Sequence, residues 1–184
     1  MIKWVSADEP NNIPVYPFTS IGVGGLVIDS CNRVLVIQEK YSVGGKKQWK
    51  LPGGVSHQGE AISMTAEREV WEETGIRGSF QSILTIRHLH EYQFGCADLY
   101  IVCLLTVDES CPDALKLNKC DHEIDAVQWM PLEEAEQVMS PHNRFVIDKY
   151  RLSQRTGCAI RASEVDFILG GTTTVYALQT QDNP

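Results

Sequence analysis

The stretch GGVSHQGEAISMTAEREVWEETGI, residues 53–76, is crowded with glutamate. The acids lie within fourteen positions and are Glu60, Glu67, Glu69, Glu72 and Glu73. Residues 61–74 contain no proline and are followed by Gly75, so we predict that this segment is a helix. Like charges one helical turn apart destabilise a helix even in water. The crowding therefore needs a compensating partner.

Three of these glutamates share one sector of the predicted helix. At about 100° per residue, with Glu69 at 0°, Glu73 lies at about +40° and Glu72 at about −60°. Val70 lies at about +100°, so the acidic stripe borders the side that should pack on the protein. The single cation of Arg68 cannot neutralise the whole group, whereas Mg²⁺ or Mn²⁺ can. A solvated acidic face is the alternative interpretation.

Composition limits the classes of function that remain. The chain has 184 residues, which is enough for one domain with a sizeable core. Its net charge of −8 argues against a nucleic-acid partner and against RNA-directed activity. Neither a signal-peptide pattern nor an apolar run of about 18 residues is present, so we expect a cytoplasmic protein without a membrane partner. The six cysteines form no CxxC pair and favour free thiols over zinc ligands.

Periodicity along the chain predicts a mixture of strands and helices. The expected strands are 21–29, 33–40, 82–90, 98–107, 123–131 and, at the end, VYALQ of 175–179. The expected helices are 61–74, 132–139 and 143–155. The triplet SCN between the first two strands predicts a hairpin. Because strands and helices do not alternate regularly, the pattern indicates an α+β fold.

The glutamate-rich stretch resembles the signature of the Nudix hydrolases, Gx5Ex7REUxEExGU, in which U is a bulky aliphatic residue. Every position is filled, by Gly54, Glu60, Arg68, Glu69, Val70, Glu72, Glu73, Gly75 and Ile76. The resemblance implies an α/β/α sandwich around a mixed sheet. It also implies metal-dependent hydrolysis of a nucleoside diphosphate linked to a further group, with Mg²⁺ or Mn²⁺ as cofactor.

Family resemblance also assigns roles to the residues of the motif. It implies that the cations are held by Gly54, Glu69, Glu72 and Glu73. It implies that Arg68 and Glu60 orient these acids and that Gly75 lets the chain turn out of the helix. The catalytic set comprises Glu69, Glu72 and Glu123. Of these, Glu69 and Glu123 are the candidates for accepting or positioning the proton of the attacking water, and a surface role for Glu123 is the alternative.

Residues 20–140 resemble one branch of the family, through segments such as WKLPGG and FGCADLYIVCLL. This branch contains plant ADP-ribose and NADH hydrolases and the animal protein from the antisense transcript of the basic fibroblast growth factor gene. We therefore expect a lead-in or remnant of a preceding domain at 1–20, a Nudix domain at 21–140, and a C-terminal helix and tail at 141–184 that pack on that domain.

The substrate expected from this branch is a small nucleotide, ADP-ribose or NADH before others. Diadenosine polyphosphates or other nucleotides, or a catalytically weak regulatory or binding module, are the alternatives. Arg87, His88 and Phe94 are candidate substrate contacts, although ordinary strand-end polarity also explains the first two. Met64 and Trp71 lie away from the packed side of the predicted helix and favour a homodimer.

Overall fold

The computed structural model describes residues 19–41, 47–92, 95–167 and 170–180. The predicted lead-in therefore lies outside the described residues, except for its last two residues, which open the first strand. The elements, in chain order, are β1 Thr19–Val27, β2 Arg33–Glu39, β3 Gly53–Val55, α1 Ile62–Thr74, β4 Ser79–Leu89, β5 Ala97–Thr106, β6 Ile124–Pro131, α2 Leu132–Val138, α3 Pro141–Thr156, β7 Ala159–Asp166 and β8 Thr172–Gln179.

Most of the strands form one mixed sheet. Its order is β3-β1-β5-β4-β7-β8, with β1 and β5 parallel and the other neighbours antiparallel. A second sheet pairs β2 with β6. The α+β prediction is confirmed. The predicted hairpin is confirmed at its turn, where Ile28 and Val34 form an antiparallel bridge and the Asp29 N–H donates to the Arg33 carbonyl at 3.0 Å. Beyond the turn the two strands separate, and each joins a different sheet.

Both faces of the larger sheet are covered. Alternate residues of a strand point to opposite faces, and Leu26 and Val27 accordingly belong to different hydrophobic clusters. The cluster around Val27 includes Val70 of α1. The cluster around Leu26 includes Ala135 of α2 and Val146 of α3. The sheet is thus held between α1 on one side and α2 with α3 on the other, which is the sandwich expected from the resemblance.

The main helix and most strands follow the predicted segments closely. Helix α3 begins at Pro141, earlier than predicted, because proline suits a first helical position and Ser140 caps the helix by accepting a hydrogen bond from the Asn143 N–H at 3.3 Å. Strands β3 and β7 were not predicted, and the predicted terminal strand is part of β8. In the part of the chain that the structure describes, no helix is both long and apolar enough to cross a membrane.

Candidate active site

The glycines at the start of the motif bring the chain against the acidic face of α1. Gly54 lies in β3, which pairs with β1 and runs beside the helix. A Cβ atom added to Gly54 would lie 2.6 Å from each carboxylate atom of Glu69. Any larger residue would displace that carboxylate, so glycine at this position allows Glu69 to lie against the backbone. The backbone of Gly54 and the carboxylate of Glu69 consequently share one small space.

Arg68 ties the acids of the motif together. Its Nε and Nη2 atoms donate to the two oxygens of Glu60 at 2.8 and 2.9 Å, and Nη2 also donates to the Val55 carbonyl at 3.2 Å. Its Nη1 atom donates to Glu69 at 2.7 Å and to Glu72 at 3.1 Å. The hydrogen bonds from Arg68 are the main reason that the pKa of Glu60 falls to about 2. One guanidinium thus orients three carboxylates.

Glu73 is the buried acid of the site, with 6% of its surface exposed. Its Oε2 atom accepts a hydrogen bond from the Gly53 N–H at 2.7 Å. Burial raises the pKa of Glu73 to about 8, and the negative charges of Glu69 and Glu39 act in the same direction. Lys50 and the Gly53 N–H oppose this rise only in part. Without a bound cation, the protein holds Glu73 mainly in its protonated form at pH 7.

The donor set suits a hard divalent cation. Carboxylate oxygens are the ligands that Mg²⁺ and Mn²⁺ prefer, and a buried acid beside two others lacks charge compensation. Within residues 19–41, 47–92, 95–167 and 170–180, no three His, Cys, Asp or Glu side chains converge as a metal-binding group. The hydrogen bonds explain this arrangement, because Arg68 draws Glu69 and Glu72 together while Glu73 faces Gly53.

Glu123 reaches the same site from a distant part of the chain. It lies in the turn before β6, where its carbonyl oxygen accepts a hydrogen bond from the Lys40 N–H at 2.8 Å. Together with Glu39, Tyr41 and Glu73 it lines a cavity of about 210 Å³, which we call the acidic cavity. The structure thus brings Glu123 and a motif glutamate to one space.

A larger cavity of about 470 Å³, which we call the polar cleft, opens beside the motif glycines. Its lining includes residues of β1, the end of β2, the loop before β3, both strands of the β4–β5 pair and the start of α3. Arg87, one of the predicted substrate contacts, lies in it. His88 is not part of the lining, because it follows Arg87 along β4 and points to the other face; its ring lies against that of His90, with the ring centres 4.2 Å apart. Phe94 lies outside the described residues.

Several residues of this region were not singled out from the sequence. They are Glu39, Lys50, Asp98, Tyr100 and His142. Asp98 and Tyr100 carry the clearest signal in the sequence, because two polar groups at alternate positions of an apolar strand must face a polar space or a partner. The other three come from separate segments, and only the fold places them together.

Comparisons with known proteins agree with this geometry. The family model of the NUDIX domain matches residues 19–152. "Nucleoside diphosphate-linked moiety X motif 6" of Xenopus laevis is 44% identical over 130 residues, covering 69% of this chain and 57% of that protein. "Nudix hydrolase 2" of Arabidopsis thaliana is 38% identical over 135 residues, covering 73% of this chain and 46% of that protein. The chain therefore spans about half the length of the curated relatives it matches.

The fold comparison agrees as well. A NUDIX hydrolase from Nitrosomonas europaea has a TM-score of 0.59 and 22% identity, with 73% of this chain and 90% of that chain covered. A MutT protein from Methanosarcina mazei also has a TM-score of 0.59, at 20% identity, with 77% and 99% covered. These comparisons confirm the resemblance seen in the sequence. They include the family match, relatives in both the animal and the plant groups, and the shared fold. The chain belongs to the NUDIX domain family.

Proposed function

We propose that the protein hydrolyses the pyrophosphate linkage of a nucleoside diphosphate joined to a second group. The observation that carries the proposal is the buried Glu73 beside Glu69 and Gly54, within a motif whose positions are all filled. A site kept only for folding would gain stability by replacing such an acid with an apolar residue. The retention of a desolvated acid beside other acids therefore favours chemistry that requires a cation.

The proposed cofactor is Mg²⁺ or Mn²⁺, held by the Gly54 carbonyl, Glu69, Glu72 and Glu73. When bound, such a cation lowers the pKa of water and neutralises phosphate oxygens. Arg68 contributes by holding Glu69 and Glu72 at 2.7 and 3.1 Å, so that both acids already point to one side of the helix. We propose that Glu60 fixes the opposite side of the same guanidinium. Gly75, in the left-handed conformation with φ of 79°, would let the chain turn out of the helix.

The proposed proton acceptor is Glu123. Its exposed position on a turn leaves its carboxylate accessible to water, and the acidic cavity joins it to Glu73. A general base must come within hydrogen-bond reach of the proton that it removes, directly or through one water. Glu69 is the second candidate, although its Oε1 atom already accepts a hydrogen bond from Arg68. This bond holds one oxygen of Glu69 against Arg68 and favours a positioning role for Glu69.

ADP-ribose and NADH remain the favoured substrates. The relatives in Xenopus laevis and Mus musculus are named for nucleoside diphosphates linked to a moiety X, and ADP-ribose and NADH are compounds of this class. We propose that the motif contacts only the pyrophosphate, which all candidate substrates share. The polar cleft, which contains Arg87, would then bind the rest of the substrate. We retain Phe94 and His88 as proposed contacts of a substrate that extends beyond the cleft.

Three further proposals concern the whole protein. We propose residues 21–140 as the catalytic domain, with 141–184 packed on it; the burial of Val146 and Ile147 of α3 in the core around Leu26 supports this packing. The six free cysteines suit a reducing, cytoplasmic location. A homodimer through the outer face of α1 is supported by Met64 and Trp71, which are 61% and 45% exposed.

A substrate panel tests the proposed function. ADP-ribose, NADH, diadenosine polyphosphates and nucleoside triphosphates would each be incubated with Mg²⁺ or Mn²⁺, and products would be separated by chromatography. We expect metal-dependent cleavage of ADP-ribose to AMP and ribose phosphate, and its loss in Glu72→Gln. Metal-dependent cleavage of none of these compounds by the wild type would refute the proposal and favour a binding module.

A further inference from the structure

The charges that line the polar cleft are balanced. Its lining holds two cations and two carboxylates, and these groups form two ion pairs. Lys50 donates from Nζ to Glu39 at one end, and Arg87 donates from Nη2 to Asp98 at 2.9 Å. The cleft therefore offers hydrogen-bonding groups with little net charge, which suits a neutral polar group better than a second phosphate.

Asp98 fixes the position of Arg87. It is only 6% exposed, and its other oxygen accepts a hydrogen bond from the Ser20 hydroxyl at 3.2 Å. The guanidinium carbon of Arg87 lies 5.1 Å from the centre of the Tyr100 ring. The Tyr100 ring in turn occupies the space left by Gly24, where a Cβ atom would be 2.3 Å from the phenol oxygen. Among the residues that the structure describes, Asp98 alone accepts a hydrogen bond from Arg87, through one of its five N–H groups, and the Arg87 side chain is 45% exposed. Within this part of the chain, the other N–H groups are available to a ligand.

His142 lies at the start of α3, beside this pair. Its ring meets the Tyr100 ring edge-on, with the ring centres 6.0 Å apart. Both ring nitrogens are shielded from water, and neither has a hydrogen-bond partner among the residues that the structure describes. Burial, and then the charge of Arg87, lower the pKa of His142, so the ring is neutral at pH 7 and presents one donor and one acceptor. His142 also lines the polar cleft.

We propose that the polar cleft binds a hydroxyl-bearing sugar of the substrate, through Arg87 held by Asp98 and through His142. This inference rests on the proposed function, which places the pyrophosphate at the motif beside Gly54. The sugar next to the pyrophosphate then enters the cleft, which is also lined by Gly54. A sugar hydroxyl both donates and accepts, which matches the neutral imidazole, and the free N–H groups of Arg87 supply further donors. Asp98 acts as a positioning residue through Arg87.

The test compares Asp98→Asn with a matched control elsewhere in the chain. Asp29 is also 6% exposed and pairs with an arginine, Arg33, at 2.6 Å, but it lies outside the cleft. We expect Asp98→Asn to raise the KM for ADP-ribose about tenfold, as for the loss of a charge-assisted hydrogen bond, with kcat within about twofold. Competitive inhibition by inorganic pyrophosphate, which has no sugar, should stay unchanged. Asp29→Asn should affect stability without altering KM.

His142→Phe supplies a second variant that keeps the packing of an aromatic ring on Tyr100. Because the His142 nitrogens lack partners in the part of the chain that the structure describes, we expect the melting temperature of the variant to be equal to that of the wild type or higher. Its KM for ADP-ribose should rise several-fold, and the increase in melting temperature caused by ADP-ribose in metal-free buffer should shrink. A purely structural role for His142 would instead lower the melting temperature and leave KM unchanged.

The possible outcomes separate this inference from the proposed function. If the wild type binds ADP-ribose through these residues but hydrolyses no substrate, the inference stands and the proposed function fails. If the wild type hydrolyses ADP-ribose and neither Asp98→Asn nor His142→Phe changes KM, the inference is overturned and the proposed function stands. The inference is also overturned if the variants bind ADP-ribose and pyrophosphate more weakly by the same factor. It is overturned as well if the wild type does not bind ADP-ribose.

Discussion

Replacing Glu73 with glutamine should change how the stability of the protein depends on pH. The folded state raises the pKa of Glu73 from 4.5 to about 8, so it binds this proton more tightly than the unfolded state does. The resulting stabilisation is complete below about pH 4.5 and is lost as the pH rises toward 8. At up to 1.4 kcal/mol per pH unit, full ionisation costs the metal-free protein on the order of 4 kcal/mol.

Glu73→Gln retains the shape of the protonated side chain, and its carbonyl oxygen can still accept the hydrogen bond from Gly53. Because glutamine does not ionise, the variant should escape the loss that the wild type suffers in EDTA. The two proteins should have similar free energies of unfolding at pH 5, and the variant should be more stable by up to about 4 kcal/mol at pH 8. Urea denaturation at pH 5, 6, 7 and 8 measures this difference directly.

Mg²⁺ should narrow the difference in stability between the two proteins. A cation present at a hundredfold excess over its Kd adds about 2.7 kcal/mol to the stability of the wild type, or about 5–10 °C in melting temperature for a chain of this size. Glu73→Gln should gain much less and lose most of its turnover. At pH 5 the gain should shrink for the wild type also, because the cation must displace the proton of Glu73.

Glu67→Gln is the matched control on the same helix. Glu67 accepts a hydrogen bond from the Phe80 N–H at 2.8 Å, and glutamine retains an oxygen for this bond. The free energy of unfolding of this variant should match that of the wild type, both in EDTA and in Mg²⁺. If the free energies of unfolding of the wild type and of Glu73→Gln changed with pH in the same way in EDTA, Glu73 would not be desolvated in the folded protein. An equal gain of both variants from Mg²⁺ would refute the assignment of Glu73 as a ligand.

Three other predictions concern separate features of the site and surface. Gly54→Ala should lower kcat at least tenfold in hydrolysis assays, because its Cβ would lie 2.6 Å from the Glu69 carboxylate and displace it; an unchanged kcat would contradict this. Glu123→Gln should lower kcat about a hundredfold with little change in KM, and a normal kcat would remove it as the base. Light scattering at tens of micromolar should show a dimer that Trp71→Ser weakens, and a monomeric wild type would exclude the proposed contact.

Local signals made the motif helix predictable from the sequence. The segment before Gly75 contains no proline, and its apolar side carries Ala66 and Val70, which are both fully buried in the structure. Strand β3 could not be predicted, because three residues with two glycines form a strand only when β1 is there to pair with them. Strand β7 was missed because its sequence, AIRASEVD, mixes polar and apolar residues and none of its residues is fully buried.

The pairing of strands limited the prediction in a different way. The apolar runs of β1 and β2 carry the signals of a hairpin, yet β2 finds its partner in β6, with Leu35 opposite Trp129. In the site, spacing alone identified the motif acids. The neighbours Lys50, Asp98 and His142 carry no common spacing, since each reaches the polar cleft from a separate element.

The parallel pairing of β1 with β5 has a consequence for synthesis of the protein. Ser20 and Asp98 bond across this pairing although 78 positions separate them. A ribosome must therefore release β5 before β1 gains its central neighbour, and contacts of such long range slow folding. Until then the apolar residues of β1 are open to other chains. The glutamate helix is made during that interval, so its acidic charge supplies repulsion between nascent chains at the stage when they are most prone to aggregate.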